Sequence, residues 1–134
     1  MPIQEPQKIE LETGIHLLIG SEYLHSKFYP FDTPNATEFG EHILAINRLI
    51  GERKILFLVD FTECGNTLNL EFLKRWTHDP ILNQSRIAEA YLVSRFADSV
   101  FVKQHIRFNL LNYPARVFVE LGEAVTWLKL NIIH

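Results

Sequence analysis

The segment Ile55-Leu56-Phe57-Leu58-Val59-Asp60-Phe61 constrains the fold more than any other, because six of its seven residues are apolar and only Asp60 interrupts the run. A strand of that pattern is buried on both faces, which requires helices packed on either side of a sheet and points to parallel βα units. The 134 residues match the usual size of one domain, and no linker, repeat or low-complexity tract divides them.

The flanking sequence supplies the remaining units. Ile9–Glu12 and Ile15–Ile19 flank the turn signal Thr13-Gly14 and are expected to pair as an antiparallel hairpin at one edge. Gly20–Thr33 is aromatic but irregular, which predicts partial burial and no definite element. Asn35 and Glu38 form a capping-box pattern, opening a helix whose Phe39, Ile43, Ile46 and Ile50 recur at helical spacing until Gly51. A helix over Leu68–Trp76 stops before Pro80. Ile87–Val93 reads as a strand, Ala97–Leu111 as a helix and Arg116–Val119 as the last strand. The closing helix, Leu121–Leu130, is expected to set Ala124 and Trp127 on the sheet near Phe118. The chain is therefore expected to be a single α/β domain over residues 1–134. Its sheet is mostly parallel, with right-handed crossovers and an antiparallel N-terminal hairpin.

Composition excludes several functions. Thirteen basic against sixteen acidic residues give a formal charge of −3, without the basic footprint that nucleic acid requires. No apolar run approaches the ~18 residues of a membrane span, and the polar first twelve residues resemble no secretory signal, so a cytoplasmic location is expected. Cys64 is the single cysteine; it can form neither an internal disulfide nor a cysteine cage for zinc. With Asp60 and Glu63 nearby its thiolate is disfavoured, and a small buried thiol is expected. His16, His25, His42, His78, His105 and His134 lack a metal-binding spacing, so no metal is expected. The sequence has no nucleophile elbow, phosphate-binding glycine loop or dinucleotide fingerprint, which leaves no catalytic residue and no cofactor to assign.

Four groups of residues are candidates for function. Ligands on open α/β sheets gather beyond the carboxyl ends of the strands, where the turns Glu63–Thr67 and Ser94–Asp98 should lie. Ser94 and Arg95 could contact an anion or a partner, although a capping serine and an exposed arginine explain them as simply. The helix Ala97–Leu111 carries two stripes. If Phe101 and Phe108 face the sheet, Val102, Ile106 and Leu110 form an exposed row suited to a homo-oligomer interface. Tyr23, Phe28, Tyr29 and Phe31 could line an apolar pocket.

The order of elements resembles a known family. So do the strand Ile55–Asp60 leading into a polar turn, the ending Tyr113-Pro114-Ala115-Arg116-Val117-Phe118, and the helix Glu123-Ala124-Val125-Thr126-Trp127-Leu128. From about Ile15 onward the chain resembles small bacterial STAS or SpoIIAA-like proteins. In the anti-sigma factor antagonists of that family an Asp-Ser-Ser-Gly turn presents a phosphorylatable serine, and Thr67 falls on its position here. Asn66, Leu68 and Asn69 replace the Asp, second Ser and Gly, so the kinase recognition pattern is missing. Capping of the next helix by Asn66 or Thr67 accounts for the pair without a kinase. The resemblance implies a noncatalytic interaction or regulatory module with a protein partner or a second copy. The alternative it implies is a carrier or sensor of a small apolar ligand or lipid, of SEC14-like type.

Overall fold

The computed structural model describes residues 7–30, 36–65 and 67–131. Six strands, β1 (Gln7–Leu11), β2 (Gly14–Ile19), β3 (Tyr23–Phe28), β4 (Ile55–Asp60), β5 (Arg86–Leu92) and β6 (Ala115–Phe118), form one sheet in sequential order. The pairings β1/β2 and β2/β3 are antiparallel, and those from β3 to β6 are parallel. Five helices accompany them: α1 (Ala36–Ile50), α2 (Leu70–His78), α3 (Pro80–Ser85), α4 (Phe96–Asn109) and α5 (Leu121–Leu130).

All six residues of β4 are buried, as its apolar run requires. Phe57 and Val59 face a core shared with Phe39, Ile43 and Ile46 of α1, Phe72 and Trp76 of α2, Leu82 of α3 and Val102 of α4. Leu56 and Leu58 face the opposite side, where Ala124 and Leu128 of α5 cover them. Trp127 packs there at 5.7 Å from Phe118, half-buried, while Ala124 is fully buried. Four helices thus cover one face of the sheet and α5 covers the other.

The expected hairpin forms, but β3 extends it into three antiparallel strands. The irregular segment hid this strand because its inward face carries Ser26 between Leu24 and Phe28. In β2 the inward position His16 is polar while Ile15, Leu17 and Ile19 point outward, inverting the usual alternation. Gly14, at the start of β2, is a true close approach. A Cβ there would lie 2.7 Å from the Lys27 carbonyl and 3.2 Å from His42 Cε1.

Helix boundaries follow side-chain caps. Asn69 accepts from Phe72 N at 2.9 Å, so α2 starts two residues later than its apolar pattern suggests. Asp79 ends α2 and caps α3 through Leu82 N at 2.9 Å, with Pro80 at the first position of α3. Gly51, at φ +61°, closes α1. The Asn35 cap lies outside the described residues.

Candidate functional site

Two turns meet at the carboxyl ends of β4 and β5. In the first, Asp60 Oδ1 accepts from Thr62 N at 2.9 Å and from Thr62 Oγ1 at 2.6 Å, while Asp60 Oδ2 lies 2.9 Å from His25 Nε2 of β3. Burial alone would raise the Asp60 pKa, but the hydrogen bonds from His25 and Thr62 outweigh it and hold the carboxyl below its ordinary value. Beyond it, Cys64 Sγ donates to the Phe61 carbonyl at 3.1 Å, and Gly65 turns the chain at φ +64°.

Thr67 stands three residues before the first residue of α2, and its hydroxyl donates to the Cys64 carbonyl at 2.5 Å. Asn69, not Thr67, is therefore the helix cap. The other member of the expected pair, Asn66, lies outside the described residues. The second turn is stitched to the first: Arg95 Nη1 donates to the Gly65 carbonyl at 3.0 Å, and Ser94 Oγ reaches the Thr62 carbonyl at 3.5 Å. Ser94 supplies no cap to α4, whose N-cap residue Arg95 makes no side-chain capping bond.

Asp98, in the first turn of α4, is buried, and its Oδ2 has no hydrogen-bond partner among the described residues. Burial, followed by the charge of Asp98, pushes the Cys64 thiol up to about 11. Cys64 is accordingly expected to react with a disulfide reagent at pH 8 at least a hundredfold more slowly in the native protein than in denaturant. Comparable rates in the two states would place the thiol at the surface.

Helix α4 is oriented differently from the sequence expectation. Val102 is fully buried, Ile106 packs half-buried against the same core, and only Leu110 is exposed, at 86 %. Leu110 has φ 44° and ends the helix. The row Val102, Ile106 and Leu110 is therefore no exposed interface. The reason is polar. Asp98, Ser99 and His105 turn inward with Val102, and His105 Nε2 lies 2.9 Å from Thr77 Oγ1 of α2. Since Thr77 Oγ1 donates to the Leu73 carbonyl at 2.8 Å, His105 Nε2 is assigned as the donor to it. What faces outward is Phe96, 85 % exposed, Val100, 39 % exposed, and Phe108, 75 % exposed, while Phe101, half-buried, packs against the core as Ile106 does. Between α2 and α4 runs an open groove of about 300 Å³, lined by Leu70, Lys74, Phe101, Gln104, His105, Phe108 and Asn109.

The three pocket candidates among the described residues, Tyr23, Phe28 and Tyr29, do not converge. Tyr23 packs against the α5 side of the sheet and Phe28 against the opposite core, as residues five apart on a strand must. Phe28 meets Phe72 at 4.9 Å and Trp76 at 5.5 Å between ring centroids, so it fills the core. Tyr29 donates to Glu10 at 3.3 Å on the surface. Phe31 lies outside the described residues.

Two buried polar networks escaped the sequence reading. The first is a chain of hydrogen bonds: Ser26 Oγ to His16 Nδ1 at 2.8 Å, His16 Nε2 to His42 Nδ1 at 2.8 Å, and His42 Nε2 to Thr13 Oγ1 at 2.7 Å. Topology brings two histidines twenty-six residues apart into contact, and sequence spacing carried no sign of it. The second joins Arg86 Nη1 to Glu89 Oε1 at 3.1 Å, with Trp76 Nε1 donating to Glu89 Oε2 at 2.8 Å. The hydroxyls of Tyr91 and Tyr113 also donate to Glu89. Residues three apart on a regular strand face opposite ways. Here the register shifts between Ile55 and Phe57, so that Ile87 and Ala88 together oppose Leu56 and both charged side chains turn to one face.

No family model matches the sequence, and no curated protein matches it. Among solved structures, the chain is similar to an uncharacterised protein of the DUF3478 family with a SpoIIAA-like fold from Shewanella loihica PV-4. The identity is 16 %, the TM-score 0.57, and the match covers 96 % of this chain and 98 % of that one. A protein of unknown function from Arthrobacter sp. FB24 is 24 % identical over 91 % of this chain and 97 % of that chain, with a TM-score of 0.31. The first likeness shows that the chain has a SpoIIAA-like α/β fold. Among the described residues no helix is long and apolar enough to cross a membrane.

Proposed function

We propose that this chain is a noncatalytic, cytoplasmic interaction module whose binding face is the exposed side of α4. The carrying observation is the pair Phe96 and Phe108, 85 % and 75 % exposed on a helix otherwise docked to the core. The two phenylalanines lie about 18 Å apart along the helix, each an exposed aromatic of the kind that partners cover. A noncatalytic role is further supported by the bonding of three pairs of titratable groups, with Asp98 the buried carboxylate that keeps an unpartnered oxygen. His16 with His42, His25 with Asp60 and Glu89 with Arg86 all satisfy one another.

A photoreactive phenylalanine analogue placed at Phe96 or Phe108 and activated in the native host is expected to yield a discrete adduct. The same group at Thr126, exposed on α5, should yield none. Equal labelling at all three positions, or none at Phe96 and Phe108, would remove α4 as the binding face.

A further inference from the structure

We infer that two copies of this chain pair antiparallel through the open edge of β1, joining their sheets across a two-fold axis at Ile9. This surface is separate from α4 and does not depend on it. β1 is the outermost strand, and among the described residues no element pairs with its outer side. Only Glu12 and Thr13 connect it to β2, so the closing pair Leu11 and Gly14 is hydrogen-bonded across the hairpin. Alternation along an antiparallel ladder then turns the backbone N–H and C=O groups of Lys8 and Glu10 to the open edge. The register of β1 on β2 runs without a bulge, a device that would twist such an edge out of use.

Charge selects both the occupant and its register. Ile9 packs against the core beneath α1, so the exposed Lys8 and Glu10 share the opposite face. Their neighbours on β2 are the apolar Leu17 and Ile15. Among the described residues Lys8 enters no ion pair, and Glu10 accepts only from the Tyr29 hydroxyl at 3.3 Å. With the axis at Ile9, Lys8 lies directly opposite Glu10 of the second copy, and Glu10 opposite its Lys8. These are also the positions at which the two backbones exchange hydrogen bonds. Sliding one strand by two residues in either direction would set Lys8 on Lys8 or Glu10 on Glu10, so one register is favoured over its neighbours.

The helices agree with this placement. α1 packs on β1 and β2, which sets it one strand spacing from the axis. The two α1 helices then lie about 10 Å apart, an ordinary separation for packed helices.

The test is analytical sedimentation of the full-length chain across the micromolar range, where a concentration-dependent dimer is expected. Lys8→Glu and Glu10→Lys each set like charges opposite one another, and each should weaken the dimer at least tenfold. Both positions are exposed, so circular dichroism of the variants is expected to match the parent. The double variant Lys8→Glu/Glu10→Lys should recover association. Mixing the two single variants should give a heterodimer, since every opposed pair then carries opposite signs. Phe108→Ser should leave the dimer unchanged. A chain that stays monomeric, a dimer indifferent to both single changes, a failure to associate on mixing, or a dimer that Phe108→Ser dissolves would overturn the inference.

Discussion

Replacing Glu89 by alanine is expected to destabilise the protein by about 3–5 kcal/mol, the cost of leaving a buried ion without its partner. The side chains of Arg86 and Glu89 are both fully buried. Burial works against the Arg86 cation, and the Glu89 carboxylate together with Tyr113 and Tyr91 outweighs it, raising its pKa above the ordinary value. Removing that carboxylate strands a guanidinium between Phe57, Trp76 and Tyr113, whose rings lie 5.3, 5.8 and 4.6 Å from Arg86 Cζ. It also takes the acceptor from Trp76 Nε1 and from two tyrosine hydroxyls. Glu89→Gln, which keeps an acceptor but not the charge, should fall between alanine and the parent. The check is urea unfolding, with a lower midpoint and an unchanged slope. A loss below about 1 kcal/mol for Glu89→Ala would mean that the network is solvated and relaxes without cost.

Acid is expected to weaken the fold through the histidine chain, beginning well above the range in which carboxylates titrate. Burial, with the neighbouring His42 as a second cause, depresses His16 to about 3, and burial depresses His42 to about 4, both from 6.5. The unfolded chain therefore binds protons at these sites that the folded chain refuses, so stability rises with pH across the interval. The contribution is complete above about pH 6.5 and is lost as pH falls towards 4 and 3. At roughly 1.4 kcal/mol per pKa unit its full extent is on the order of several kcal/mol. His42→Gln keeps a hydrogen-bonding side chain but cannot titrate. Between pH 7 and 4.5 its unfolding free energy should therefore decline about half as steeply as that of the parent. Parallel slopes would show that the imidazoles are already solvated in the native state.

The fold was legible where burial follows hydrophobicity. The uninterrupted β4 run dictated a sheet covered on both faces, and Pro80 marked the end of α2. It was illegible where inward positions are polar. Ser26 and His16 concealed β3, and Asp98, Ser99 and His105 concealed the inner face of α4, so a wheel ranked by hydrophobicity chose the wrong stripe. Of the candidate site, the two carboxyl-end turns were found as neighbours because α/β topology places them together, and Arg95 indeed bonds across to Gly65. The groove was out of reach. It exists only once Leu70 and Phe101 are juxtaposed, and nothing within either helix encodes that proximity.

Because the strands lie in the sheet in the order in which they occur in the chain, none has to be threaded between two that are already paired. Each new strand docks on the outer edge of the one before, so a chain emerging from its N-terminus can add β4, β5 and β6 one crossover at a time, as local closures of modest sequence separation. The same order leaves a bare, apolar edge at every intermediate length until the next strand arrives. The fully buried β4 is the most exposed to mispairing in the interval before β5 is made. Growth ends at β6, only four residues long with Arg116 turned to solvent, a short, charged edge that gives a further strand little to join.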